Sequence, residues 1–254
     1  MNKAVFITGA TSGFGKACAI RFANEGWRLI LAARRKERLQ ELQGALGKKE
    51  PVHIIRLDVR NRKAVQAEME NLPDEFKNID ILINNAGLAL GFGPCHEADL
   101  DDWETMVDTN IKGLMYCTHS LLPHMAARRQ GHIINVGSVA GTWPYPGGNV
   151  YGATKAFVKQ FSNNLRTDLL GTQIRVTNIE PGMAESEFSI VRFKGDSDKA
   201  AQVYEGLQPL TPDDIAEIIF WVASLPPHVN INSLEVMPTN QSWGPYAFHR
   251  QKGS

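Results

Sequence analysis

The sequence predicts an α/β fold: one doubly wound, Rossmann-type parallel sheet of seven strands with helices on both faces. Three observations predict it. Short runs that are apolar nearly throughout alternate with longer segments of helical period, as expected for strands buried on both faces and each followed by a helix. The first of these runs leads directly into a glycine-rich turn and then a helix. No repeat, low-complexity tract or linker divides the 254 residues, a length that suits one large α/β domain spanning 1–254.

The chain opens with a strand at 4–8 and the pattern T-G-A-T-S-G-F-G at 8–15. Ala17, Ile20, Phe22 and Ala23 then recur at helical spacing, which predicts a helix over 13–25. Gly9 permits a tight turn. Gly13 and Gly15 lack a Cβ, so a pyrophosphate can approach the backbone and the helix can pack close to the strand. The first N–H groups of that helix then face the phosphates, whose charge its dipole favours. The spacing differs from the common G-x-G-x-x-G, and a turn rich in small residues can also be only a turn.

A second strand at 28–33 ends in A-A-R-R. An acidic residue here would hold a ribose 2′-hydroxyl. Ala33 followed by Arg34 and Arg35 instead suits a 2′-phosphate, which two guanidiniums can bind in bidentate fashion. Cations at the start of the next helix, 35–46, otherwise oppose its dipole. A third strand at 52–57 leads to Asp58 and Val59, where the Asp can accept a bond from an adenine amine, and a helix at 61–71 follows. The fourth, at 79–84, runs into N-N-A-G, so Asn85, Ala86 and Gly87 can line a ribose and ring, or simply turn the chain.

After a helix at 99–121, the fifth strand at 131–137 delivers Ser138 to the same edge. The helix at 150–170 has an apolar face of Val150, Phe157, Phe161, Leu165 and Leu169. It carries Tyr151 and Lys155 at i and i+4, which project together. A phenol with a reference pKa of about 10 is scarcely ionised at neutral pH. An ammonium beside it favours the phenolate and can lower that pKa by about 1–3 units, which gives an acid/base suited to an alcohol proton. Ser138 can hold a substrate oxygen toward Tyr151. A surface Tyr–Lys pair with a loop serine would look the same in isolation.

The sixth strand at 174–180 is followed by a segment, 183–210, without clear period and carrying Gly195, Gly206 and Pro209. Its place after a strand's carboxyl end makes it a candidate substrate lid. Within it Arg192, flanked by Ile190, Val191 and Phe193, is the candidate to grip a substrate carboxylate, or else to pair with Glu185, Glu187 or Asp196 as a lid strut. A helix at 212–224 and a strand at 232–237 end the alternation. Right-handed crossovers predict the order 3-2-1-4-5-6 with the seventh strand added at the edge.

Composition narrows the partners. Basic and acidic residues balance at 27 each, so nothing favours nucleic acid or an anionic membrane surface. The first apolar run is too short for a signal peptide, and no stretch reaches the roughly 18 apolar residues of a membrane span. The three cysteines, Cys18, Cys95 and Cys117, are scattered, as expected of reduced, buried residues in a cytoplasmic protein. The seven histidines form no ligand pair; His119 and His124 flank Pro123, and no metal site is expected.

Taken together, T-G-A-T-S-G-F-G at 8–15, N-N-A-G at 84–87, Asn110, Ser138, Y-G-A-T-K at 151–155 and P-G at 181–182 resemble the short-chain dehydrogenase/reductase family from residue 3 to about 240. The resemblance implies a nicotinamide cofactor, here NADP, held by Gly9, Thr11, Ser12, Gly13, Phe14, Gly15, Arg34, Arg35, Asp58, Val59, Asn85, Ala86, Gly87, Tyr151, Lys155, Pro181, Gly182, Met183 and Ser186. It implies Tyr151 as acid/base, with Lys155 on the nicotinamide ribose and lowering the Tyr151 pKa. Ser138 would orient substrate, and Asn110 would hold a water that relays protons from Lys155. Ser12 is not the basic residue of many NADP-using relatives, and Ser186 replaces the Thr of P-G-x-x-x-T.

Longer stretches, among them G-T-W-P-Y-P-G-G-N-V-Y-G-A-T-K and E-F-S-I-V-R-F-K-G-D, resemble the family's NADP-dependent 3-hydroxy acid dehydrogenases. That implies small substrates such as serine, allo-threonine or malonic semialdehyde, and a homotetramer packed through helices 99–121 and 150–170. Two other readings stay open: a reductase of larger ketones or acyl groups, and a sensor that binds NADP(H) without chemistry.

Overall fold

The computed structural model describes residues 3–48, 50–244 and 247–250. Strand β1 (Ala4–Thr8) is buried throughout, and α1 (Gly13–Asn24) follows the glycine turn. Next come β2 (Arg28–Ala33), α2 (Lys36–Leu46), β3 (Val52–Arg56), α3 (Arg62–Glu70) and β4 (Ile81–Asn84). Helices α4 (Leu100–Val107) and α5 (Leu114–Arg128) precede β5 (Gly131–Val136), and α6 (Asn149–Asp168) precedes β6 (Ile174–Pro181). Two short helices, α7 (Glu187–Arg192) and α8 (Ser197–Gln202), lead to α9 (Pro212–Ser224) and β7 (Ser233–Val236).

The sheet order is β3-β2-β1-β4-β5-β6-β7 with every pairing parallel, as the sequence predicts. Alternate residues of each strand feed two cores. On one face Val5, Ile7, Leu29 and Leu31 pack with α1, α2 and α9; on the other Phe6, Ile30, Leu82 and Ile133 pack with α3, α5 and α6. Burying both faces is what makes these strands read as unbroken apolar runs. The chain reverses between β1 and β4, so a crevice opens at the strands' carboxyl ends there. No helix among the described residues is long and apolar enough to cross a membrane.

Several elements depart from the sequence reading. The helix expected over 99–121 is two helices joined by a π-helical turn at Asp108–Gly113, and it runs on to Arg128 past Pro123. Gly113 lets this turn pack closely on Val59, which a Cβ there would strike. The core face of α6 is Tyr151, Thr154, Lys155, Val158, Ser162 and Leu165. Phe157 and Phe161 are only partly buried and stack on each other, centroids 5.6 Å apart. The face is partly polar because it meets a buried polar row: Asn135 Nδ2 donates to Ser162 Oγ at 2.8 Å, and Asn84 Nδ2 donates to Asn135 Oδ1 at 2.8 Å. Cys18 and Cys117 are buried, but Cys95 is exposed on a short 3₁₀ turn.

Residues 183–210 hold α7 and α8, each too short to show a period. The segment leaves and rejoins the body at one place: Leu210 N donates to Met183 O and Glu185 N to Leu210 O, both at 2.9 Å. Thr211 and Asp214 then form a capping box, with Pro212 at the first helical position of α9.

The glycine turn fixes where the crevice lies. Gly9 has φ +66°, and a Cβ there would stand 2.9 Å from Asn85 Nδ2. A Cβ on Gly15 would overlap the Gly9 carbonyl oxygen. Gly15→Ala should therefore cost about 1–3 kcal/mol by overpacking. Gly44→Ala, inside α2 with nothing within 4 Å of the added carbon, should add about 0.4–1 kcal/mol. Urea unfolding of both variants checks the opposite signs.

Candidate active site

One cleft of about 680 Å³ lies along the carboxyl ends of the strands. It is lined by every site residue expected from the sequence except Gly15 and Asn110, which stand behind its wall. At its base Thr8 Oγ1 accepts from Asn85 N and Ala86 N, both at 3.0 Å, while Asn85 Nδ2 donates to the carbonyls of Thr8 at 2.9 Å and Gly9 at 3.2 Å. The Asn85 amide is thus spent on closing the glycine turn, and Ala86 and Gly87 face the cleft.

Helix α1 begins beside this base with Ser12 as N-cap, but no side chain caps it and its first turn holds no acidic residue. An uncapped helix start lined by glycines fits a pyrophosphate, because the N–H groups and the dipole both favour an anion. Gly13 (φ +48°) lies against Ser186, whose hydroxyl accepts from Phe188 N at 3.3 Å and caps α7.

At one end Ala33, Arg34, Arg35, Leu57, Asp58 and Val59 line the cleft. The Arg34 side chain has no hydrogen-bond or ion-pair partner among the described residues. Arg35 donates to Thr11 Oγ1 and to Glu187 of the lid, and Arg38 pairs with the same Glu187. Burial raises the Glu187 carboxyl, but the bonds from Arg38 and Arg35 outweigh it and hold it below the ordinary range. Asp58 takes three side-chain hydrogen bonds from Arg60, at 2.6–3.0 Å, which lower its pKa. Its carboxylate is therefore anchored before any adenine amine reaches it.

At the other end stand Ser138, Tyr151 and Lys155. Ser138 Oγ accepts from Ala140 N at 3.1 Å and donates to Pro181 O at 3.4 Å, on the same stretch of cleft wall as the Tyr151 phenol. Lys155 Nζ donates to Val136 O at 2.8 Å and lies 5.8 Å from the Tyr151 ring centroid. Lys155 is not among the groups that lower the Tyr151 phenol. Burial pushes the phenol well above its usual range, Tyr145 adds to the rise, and the bond from Ser138 and the charge of Arg192 only partly oppose it. Lys155 does not reverse this because burial lowers the lysine itself to about 8.

Asn110 sits in the π-helical turn and is buried. Its Nδ2 donates to Leu88 O at 2.8 Å and Thr154 Oγ1 at 3.0 Å, and its Oδ1 accepts from Leu88 N at 2.9 Å. The side chain therefore straps the chain after β4 to α6. A Cβ on Gly87 would come within 3.2 Å of Asn110 Oδ1 and 3.5 Å of Lys155 Nζ, so Gly87 keeps the two neighbourhoods joined.

Arg192 pairs with none of Glu185, Glu187 and Asp196. Its Nε donates to Gly91 O at 3.2 Å, and one Nη donates to Tyr145 Oη at 2.9 Å and Gly147 O at 3.2 Å. Its guanidinium lies 4.6, 5.3 and 5.8 Å from the ring centroids of Phe92, Tyr145 and Tyr151. A cation carried by α7 thus stands beside the phenol. Sequence reasoning missed the aromatic wall of Phe92, Tyr145 and Phe188, the last 5.4 Å from Tyr151 between centroids. The W-P-Y-P-G-G run just before the Tyr151 helix was the available signal for Tyr145. Among the described residues no three His, Cys, Asp or Glu side chains cluster as metal ligands.

With this geometry in hand, comparison places the chain among known proteins. Residues 3–196 match the short chain dehydrogenase family. The chain is 58% identical over 248 residues to the NADP-dependent 3-hydroxy acid dehydrogenase YdfG of Escherichia coli (strain K12), covering 97% of this chain and 99% of that one. It is 55% identical over 251 residues to Sulfoacetaldehyde reductase 2 of Chromohalobacter salexigens, covering 98% and 100% of the two. Among solved structures, the closed form of serine dehydrogenase complexed with NADP+ superposes with a TM-score of 0.92 at 57% identity, covering 98% of this chain and 100% of that one.

The buried lysine has a measurable signature. Lys155 titrates near 8 when folded and near 10.5 when unfolded. Below that window both forms hold the proton and the burial penalty is full; above it both are neutral and the penalty is gone. Between the two values the unfolded chain binds the extra proton, so stability rises with pH, by up to about 1.4 kcal/mol per pH unit. The stability difference between the cofactor-free protein and Lys155→Met, measured by urea unfolding from pH 7.5 to 10.5, should show that slope.

Proposed function

The chain belongs to the short chain dehydrogenase family, and from that membership we propose that it transfers a hydride between NADP(H) and the 3-position of small 3-hydroxy or 3-oxo acids. One observation carries the reading: Ser138, Tyr151 and Lys155 line one end of the cleft together, with Lys155 Nζ and the Arg192 guanidinium each 5.8 Å from the Tyr151 ring centroid. The relatives named as 3-hydroxy acid and serine dehydrogenases support the substrate class, and their names support NADP.

The bound nicotinamide supplies or accepts the hydride. This chain's residues do the rest. Ser138 holds the reacting oxygen toward Tyr151 Oη, which takes the alcohol proton in oxidation and returns it in reduction. Burial keeps Tyr151 protonated, the form that donates in the reductive direction. A low-pKa lysine sits within reach of the same pocket, ready to bond a ribose hydroxyl and to pass a proton, with Asn110 behind it as a strap. Arg34 and Arg35 serve the 2′-phosphate, and no carboxylate stands at Ala33 to repel it. The pyrophosphate falls to the Gly9–Gly15 turn with Thr11, Ser12 and Phe14, and the nicotinamide side to Pro181, Gly182, Met183 and Ser186.

We read residues 1–254 as one catalytic domain with 183–210 as its substrate lid, acting in the cytoplasm. A homotetramer fits the half-exposed Phe157–Phe161 stack on α6 and the exposed Leu100 and Met115 on α4 and α5. The intact Ser–Tyr–Lys set argues against a sensor without chemistry.

Turnover followed by NADPH and NADH absorbance, over malonic semialdehyde, serine, sulfoacetaldehyde and neutral ketones, tests the reading. NADPH with small anionic substrates should give the highest kcat/KM. Equal rates with both cofactors, or no turnover of any anionic substrate, would overturn it. Tyr151→Phe should lower kcat about a thousandfold, the midpoint of the range of about 10²–10⁴ for general acid–base catalysis, while NADP binding stays within a fewfold.

Arg192 should read the substrate's charge. Arg192→Leu is expected to raise KM for malonic semialdehyde and sulfoacetaldehyde by about ten- to a hundredfold, as for one lost charge-assisted bond. It should change kcat/KM for an uncharged ketone of similar size by less than about threefold. A uniform loss across both groups would make Arg192 a lid strut held by Gly91 and Gly147.

A further inference from the structure

Glu187 opens α7 and Arg192 closes it, so one short helix touches both ends of the cleft. One Glu187 oxygen meets Arg35 Nη1 at 3.0 Å and the other meets Arg38 Nη1 at 2.7 Å. Each Arg35 nitrogen has a partner: its Nε and Nη2 donate to Thr11 Oγ1 at 3.4 and 3.2 Å, and its Nη1 donates to Glu187. A carboxylate of this chain therefore occupies Arg35, one of the two arginines that follow Ala33, where the sequence leaves room for a 2′-phosphate.

We propose that Glu187 is an internal counterpart of the cofactor's 2′-phosphate, a lid carboxylate that holds Arg35 and Arg38 and yields them when the phosphate binds. This rests on the NADP reading above. A phosphate monoester carries about −1.5 to −2 charge and three acceptor oxygens, against one charge and two oxygens on Glu187. Arg35 is common to both anions, and two anions on one guanidinium repel each other, so the more highly charged phosphate displaces the carboxylate. The pairs are side chains more than two-fifths exposed, where a single ion pair contributes little and release is easy. An unphosphorylated ribose offers no charge to displace the carboxylate. Because Glu187 and Arg192 stand on the same six-residue helix, freeing the first end loosens the support of the arginine that meets the substrate. Arrival of the correct cofactor at one end is thereby linked to the lid at the other.

The test uses 2′,5′-ADP and 5′-AMP as probes, titrated calorimetrically into the full chain and into Glu187→Gln and Glu187→Ala. Both substitutions are on the surface. Each should bind 2′,5′-ADP about three- to tenfold tighter, the amount one or two exposed ion pairs supply, with 5′-AMP unchanged. In the unmodified protein, amide hydrogen exchange across 187–195 should quicken with 2′,5′-ADP and not with 5′-AMP. Unchanged or weaker 2′,5′-ADP binding in both variants overturns the proposal and leaves Glu187 a buttress of the arginines, as does slower exchange across 187–195. A different result separates the underlying reading: unmodified protein that binds 2′,5′-ADP no tighter than 5′-AMP removes the NADP assignment, and the proposal with it.

Discussion

The site depends on one closure, between the left-handed turn at Gly9 and the Asn85 amide that bonds the carbonyls of Thr8 and Gly9. It ties the carboxyl ends of β1 and β4 together where the strand order reverses. Thr8 completes it by accepting two N–H groups from the other side. With β1 and β4 held in this way, α1 must start against the crevice, and Gly15 lets it come close enough for its uncapped end to face the opening. The polar groups of the closure satisfy each other, so the backbone can be both buried and irregular without an unpaired donor.

Electrostatics in the cleft are set by burial more than by pairing. Tyr151 and Lys155 move in opposite directions because each loses water around its charged form. Their pKa values move apart: the phenol stays protonated and the amine loses its proton readily. Arg192 is the countervailing charge. It stacks on the aromatic wall and bonds backbone carbonyls that cannot neutralise it, so its full positive charge faces the pocket. A site of this kind favours an anionic substrate and any step in which negative charge grows on the reacting oxygen.

The architecture was legible in the sequence because sheet burial writes itself as continuous apolar runs, and a parallel order follows from the helices between them. The residues of the cleft were legible for a related reason: Gly9, Ser138, Tyr151 and the others sit at fixed places relative to strand and helix ends. What stayed hidden was pairing at a distance. Nothing near Glu187 in the chain points to Arg35 and Arg38, about 150 positions earlier. Likewise Tyr145 meets Arg192 only because the lid folds back over α6. The polar stripe of α6 was misjudged for the same cause. Phe157 and Phe161 look like core, yet Ser162 and Thr154 take the inner face because Asn135 and Asn110 need partners there. Burial of Lys155 could not be read either, since its effect on Tyr151 depends on how dry the pocket is.

Residues 183–210 are held by charges at three places. Lys194 bonds Asp102 and reaches Asp99 at the start of α4, Arg192 lies beside the Tyr151 ring, and Glu187 sits on Arg35 and Arg38 at the other end of α7. The Lys194 tether leads only to side chains of this chain, so it acts as a fixed point. The other two lie where anions of the cofactor and the substrate would come. A segment anchored on one side and tied on the others through replaceable anion–cation pairs need not be strongly bound anywhere. Its position can be held by several weak contacts and altered by whichever charged group enters, the property that the proposed lid role requires.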